Sequence, residues 1–429
     1  MFRTRRPMLV GLCLAFSGCG GRSGLDVAPS EDAGFPTQGR DSGTDAGLLT
    51  PASCAYGGQR GAPWPMTGRC PDHRAYIPVT ATATTAHVRW TYTTSDSFLA
   101  APVIGADGTL YVGTKSGSLL AVTSSGTLSW STRLGTLINA SAAVAANDEI
   151  YVVAASGGEA SLFAVSRTGA ILWKQPVAPG SGSELYVSAP TTGPEGNVYV
   201  SSGPGLQAFS PSGSLRWHYT ALGNQYPPAV GADGTVYYAP MKESSNTPTF
   251  VALDASGQMQ WEVDLSTFTA VGGGVSLGPD GAVYGCGQAG GPQDNVYAVG
   301  PGGAMLWTAA VRADGWGCSS TPIIGPDGVI FALNDQLTGF TVGGTQAWSV
   351  DFPFGAAPRS PAMAGEGTQT LYLGTSNGLD TQSYVESVTG TGASGWTYQA
   401  SGFPTSPAIG ADGTVYVGSD DGKLIAFGP

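Results

Sequence analysis

Charge is what this 429-residue chain has little of: Asp, Glu, Lys and Arg together make up 11% of it. A surface with so few ions must draw on uncharged polar side chains and on the 66 glycines, a composition that suits an exported β-protein. The ions present are mostly acidic, 30 against 18 basic, for a net charge of −12. That balance excludes binding of nucleic acid or anionic lipid by charge. Histidine is rarer still, with His73, His87 and His218 the whole supply. The six cysteines form no C-x-x-C or C-x-x-C-H, and no H-x-x-x-H occurs, so zinc and haem attachment have no support. No apolar run approaches the roughly 20 residues of a membrane span. No segment carries a helical pattern, and no glycine loop precedes a helix to cradle phosphate.

What the chain has is one phrase repeated eight times, ending on Trp90, Trp130, Trp173, Trp217, Trp261, Trp307, Trp348 and Trp396. Successive tryptophans are 40, 43, 44, 44, 46, 41 and 48 residues apart, the length of a four-stranded propeller blade. In the first full copy, Pro102–Ala106, Thr109–Gly113, Leu119–Thr123 and Leu128–Thr132 read as strands. Asp107-Gly108, Ser116-Gly117 and Ser125-Gly126 read as the hairpin turns between them, because glycine reaches positive φ without steric cost. The first turn recurs at Glu195-Gly196, Asp233-Gly234, Asp280-Gly281, Asp327-Gly328 and Asp412-Gly413. Turn chemistry accounts for these aspartates, so calcium ligation is not needed to explain them. The last copy stops at Phe427 without its fourth strand, and His87-Val88-Arg89-Trp90 supplies a spare one. The expected fold is therefore an all-β, eight-bladed propeller of four-stranded antiparallel blades, closed by the N-terminal strand near Trp90. The repeated tryptophans are expected to be structural, packing blade against blade.

The repeat resembles the pyrroloquinoline-quinone-like (PQQ-like) β-propeller family. Asp412-Gly413-Thr414-Val415-Tyr416-Val417-Gly418, running on to Gly422-Lys423-Leu424-Ile425-Ala426-Phe427, carries the likeness most fully. Phe250-Val251-Ala252-Leu253 with Gly257 and Trp261, and Leu162-Phe163-Ala164-Val165 with Gly169 and Trp173, carry it elsewhere. Pro63-Trp64-Pro65-Met66 resembles the segment that often leads into the first blade. The family includes quinoprotein alcohol dehydrogenases, and the chain also resembles the propeller lipoprotein of the outer-membrane barrel-assembly machinery. The resemblance thus implies the fold and leaves enzyme and scaffold both open.

The first fifty residues concern address. Arg3, Arg5 and Arg6 precede an apolar stretch from Met8 to Phe16, and Ser17-Gly18 then place small residues before Cys19. This pattern reads as a lipoprotein-type signal peptide over residues 1–18, with Cys19 as the lipidated first residue. Residues 19–53, rich in Gly, Ala, Ser, Asp and Pro, read as a flexible low-complexity linker. Residues 54–85 form a lead-in segment and 86–429 the propeller. Loss of residues 1–18 removes three arginines and no acid, taking the net charge from −12 to −15. The four remaining cysteines, Cys54, Cys70, Cys286 and Cys318, suggest disulfides in an exported chain. Cys54 with Cys70 would staple the lead-in segment. Cys286 and Cys318 fall on the same face in adjacent connections and form the other expected pair.

The sequence offers no catalytic residues. Gly374-Thr375-Ser376-Asn377-Gly378 matches G-x-S-x-G but sits in a strand-turn-strand phrase where the hydrolase elbow needs a helix. His87 and His218 have no identifiable partner for general-base work. The informative feature is where the repeat is interrupted. Second-to-third-strand turns and inter-blade connections share one face, and the insertions at 241–247, 287–294 and 379–383 all open there. Off-repeat aromatics gather on it: Phe98, Tyr186, Tyr226, Phe268, Trp316, Phe354 and Phe403, with Arg359 nearby. The sequence is accordingly read as a non-catalytic, monomeric, lipid-anchored module of the bacterial cell envelope, at the outer membrane. Its loop-rich face would bind a protein or a polysaccharide, with no metal and no cofactor. The alternative is a quinoprotein dehydrogenase holding PQQ and calcium in the central funnel.

Overall fold

A computed structural model describes residues 54–177, 187–288, 293–312, 320–334, 336–352, 360–365, 367–376 and 382–429. Among them there is no helix, and the strands form eight sheets. Each sheet is built on one blade, an antiparallel four-stranded meander, and two of the sheets carry an additional short strand. The first holds Val103–Ile104, Leu110–Gly113, Ser118–Val122 and Leu128–Arg133 in sequence order from the channel outward. The three inner strands read as unbroken apolar runs because neighbouring blades cover both their faces. The outermost strand alternates between half-buried and exposed, because one side meets water.

The eighth blade takes its outermost strand from the far end of the domain. Val88–Thr93 pairs antiparallel with Lys423–Phe427, Trp90 opposite Ala426, and the ring closes without an open seam. Adjacent blades are clasped by the repeated tryptophans. Each indole N–H donates to a carbonyl in the third-to-fourth-strand turn of the next blade, as Trp217 does to Ala255 at 2.9 Å and Trp130 to Arg167 at 2.8 Å. The turn glycine lies flat on the indole: a Cβ on Gly257 would stand 2.6 Å from the Trp217 ring, and φ there is +84°. Within its own blade each tryptophan packs on a second-strand aromatic, Tyr199 at 5.7 Å in the case of Trp217. Trp396 has no such turn to grip, because the third and fourth strands of the eighth blade come from opposite ends of the domain, and it donates instead to Ala83, just ahead of the closing strand, at 2.7 Å.

One expectation about loops needs correction. The insertion placed at 287–294 is mostly a longer hairpin, since strands run to Gln288 and restart at Gln293. The strands that carry Trp173 and Trp307 likewise run on, to Val177 and Arg312, before the chain leaves for the next blade. In each case pairing satisfies backbone groups that a loop would leave to solvent, and the ladder lengthens.

The lead-in segment occupies the channel. Innermost-strand N–H groups of six blades donate to its carbonyls: Ile104 to Trp64, Val144 to Pro65, Val230 to Pro71, Leu277 to Asp72, Ile324 to Arg74 and Met363 to Ala75. Thr192 reaches Gly57 through its hydroxyl, and Thr82 donates to Asp412, so all eight blades touch the segment. Tyr76–Ile77 then adds a parallel strand to Ala362–Ala364. Cys54 and Cys70 are joined in a disulfide, and the buried Arg69 donates to Pro63 and Tyr76, tying the segment's ends together. Cys286 is also disulfide-bonded, and Cys318 lies outside the described residues.

Candidate functional site: a plugged central cavity

On the face where blades connect, the channel opens as a cavity of about 520 Å³. Its floor is the plug, through Trp64, Thr67 and His73, and its wall is the chain just ahead of seven of the eight innermost strands. The residue two positions before each innermost strand is small in every blade: Ala101, Ser141, Ala189, Pro227, Gly274, Thr321, Ser360 and Ser406. All but Gly274 line the cavity. Larger side chains at this radius would fill the funnel, so the small ring is what leaves it open.

The described wall carries no Asp, Glu, Lys or Arg. Its titratable groups are His73 and Tyr226. His73 is 1% exposed, and burial, only partly opposed by Asp72, pushes its pKa down to about 4, so the ring is neutral at pH 7. Its Nε2 lies 3.3 Å from the Thr191 hydroxyl, while Nδ1 has no hydrogen-bond partner. The hydroxyl of Thr67 beside it is likewise buried and unpartnered. Burial raises the Tyr226 phenol above its ordinary value, against a hydrogen bond to Gln225. Thr321 accepts the Gly274 N–H and Ser360 accepts the Thr321 N–H, so each hydroxyl oxygen is held in place by a backbone donor.

The aromatics singled out from sequence separate here. Tyr226 lines the cavity. Phe98 and Phe268 are 1% and 5% exposed and cap the core, Phe268 against Tyr297 at 5.7 Å. Their place on the binding face is corrected: off-register aromatics at strand ends have apolar walls on both sides and bury there. Phe403 stands 39% exposed on the loop-rich face. Tyr186, Trp316, Phe354 and Arg359 lie outside the described residues, as do Cys19 and the linker. His87 and His218 meet the carbonyls of Gly428 and Pro204 and face the cavity in neither case. Ser376 ends one strand and pairs with Ser383, which begins the next. Missed in the sequence were the small ring and His73. Alignment of the eight copies at the innermost strand contains the first signal, and nothing local marks the second.

The donor set does not fit PQQ with calcium. A hard dication needs several oxygen ligands, carboxylates among them, and a tricarboxylate quinone needs cations to face it. The described wall offers neither, and no group of three or more His, Cys, Asp and Glu able to hold a metal occurs among the described residues.

Fold and site together define an eight-bladed PQQ-like propeller whose channel is closed by its own lead-in chain. Residues 78–248 and 246–381 match the family described as outer membrane protein assembly factor BamB, and the chain belongs to that family. Among solved structures, BamB from Moraxella catarrhalis is 16% identical, with 79% of this chain and 97% of that one covered and a TM-score of 0.58. Lower overlaps include an inactive virginiamycin B lyase from Staphylococcus aureus with quinupristin, at 13% identity, coverage of 79% and 97%, and a TM-score of 0.48. The WD40 β-propeller domain of Doa1 follows, at 12% identity, coverage of 79% and 96%, and a TM-score of 0.46. At these identities the likeness is one of fold. No curated protein matches the sequence.

Proposed function

We propose that the protein is an exported, lipid-anchored, non-catalytic scaffold of the bacterial cell envelope. It binds a protein partner through its loop-rich face and serves the assembly of outer-membrane proteins. The observation that carries this reading is the one-sided build of the ring. Among the described residues, the insertion at 241–247 joins second to third strand on the face where the channel mouth opens, a channel that the chain itself has closed from below. Recognition surface is therefore concentrated on one face, while the opposite face keeps tight Asp-Gly turns whose aspartates cap their own backbone, as Asp107 and Asp233 do. Membership of a family of outer-membrane assembly factors supports a protein as partner. Cys19 supports the anchor, with residues 20–53 as tether.

The test is deletion in the host followed by complementation. Loss of the protein should lower the amount of β-barrel proteins in the outer membrane. The wild-type chain should restore them; Cys19→Ser should leave the membrane fraction and fail to. Unchanged β-barrel levels after deletion would refute the assembly role. Membrane retention of Cys19→Ser would refute the anchor.

A further inference from the structure

We propose that the central cavity is the partner's docking point and binds an uncharged turn of polypeptide, an inference that rests on the scaffold reading above. The absence of charge from the wall sets the ligand's charge. An ionic side chain entering here would shed its water and meet no counter-ion among the described residues, whereas a neutral polar group has partners waiting. Asn139, Ser141 and Ser406 reach the cavity with side chains that make no hydrogen bond to described residues. Below them the Nδ1 of His73 and the hydroxyl of Thr67 are buried and unpartnered. Buried polar groups without partners are rare in folded proteins and mark places where a partner arrives.

That the partner is peptide follows from what the channel already holds. Its wall grips a turn-rich stretch of chain through main-chain hydrogen bonds from the innermost strands of six blades. The cavity is the open end of that same channel, and Pro102, Pro227, Pro361 and Pro407 with the neighbouring alanines give it apolar surface for side chains. A volume of about 520 Å³ admits a turn of a few residues and no folded element.

The test is selection of disulfide-cyclised heptapeptides displayed on phage against the whole protein. Ser141→Trp and Ser406→Trp fill the cavity from different blades, and Tyr226→Ala trims its wall; each variant is first checked for an unchanged melting temperature. The enriched peptides should lack Asp, Glu, Lys and Arg, and their Kd should rise at least tenfold on either filling variant that folds and on Tyr226→Ala. Charged consensus peptides, or no enrichment, would overturn the proposal. So would neutral oligosaccharides such as cellotetraose binding the wild type and not the filled variants while peptides do not. Peptides that bind regardless of these substitutions would overturn the cavity while leaving a protein-binding face intact. A failed deletion phenotype with cavity-dependent peptides would instead sink the assembly role alone.

Discussion

Seven of the eight repeated tryptophans do two things: each packs on an aromatic of its own blade, and each hydrogen-bonds a turn of the next. Trp217 shows both, with Tyr199 at 5.7 Å and the Ala255 carbonyl at 2.9 Å. Trp217→Ala loses packing and bond together and should cost about 3 kcal/mol. Trp217→Phe keeps most of the packing and should cost about 1 kcal/mol, the net worth of one hydrogen bond. Urea unfolding of the variants measures both; equal losses would mean the hydrogen bond carries the clasp. His73 gives a pH signature. Burial holds its pKa near 4, below the ordinary value of about 6.5. Between those values the unfolded chain takes up a proton that the folded chain refuses, so stability falls as pH drops through that window. The loss reaches about 3 kcal/mol near pH 4 and is absent above pH ~6.5. His73→Asn tolerates the positive φ of 56° and should flatten that step of the pH–stability curve relative to wild type. A step of the same size in the variant would assign it to carboxylates elsewhere.

At the scale of elements, the blades were legible and the plug was not. Tryptophan spacing and Asp-Gly turns are local signals, and the missing last strand pointed to its replacement at Val88–Thr93. The lead-in segment has no period to read, and the bonds that seat it in the channel come from strands elsewhere in the chain, Met363 to Ala75 for one. Pro63-Trp64-Pro65-Met66 marked its position without its path. The binding face was legible as a location, since insertions declare it. Its residues were less so: Phe98 and Phe268 serve the core, while the small ring from Ala101 to Ser406 reads as turn filler until the copies are superposed. The Cys54–Cys70 bridge closes a loop with a sequence separation of 16, which on the chain-entropy model stabilises by about 3 kcal/mol. Cys54→Ser with Cys70→Ser should lower the melting temperature and open the segment to proteolysis first. An unchanged midpoint would mean the eight-blade grip suffices alone.

For the whole molecule, one asymmetry organises the account. A closed ring shares its core evenly among blades, so fold stability does not choose a face. The plug does, by sealing the channel and leaving an uncharged cavity on the side where blades connect. The most direct test is photo-crosslinking of the full-length protein in its host, with benzoylphenylalanine placed singly at two positions. Phe403 is exposed on the loop-rich face, and Asp233 sits in a first turn on the opposite one. The account predicts a discrete protein adduct from position 403 and none from position 233. Adducts from position 233 alone, or the same adduct from both, would contradict it.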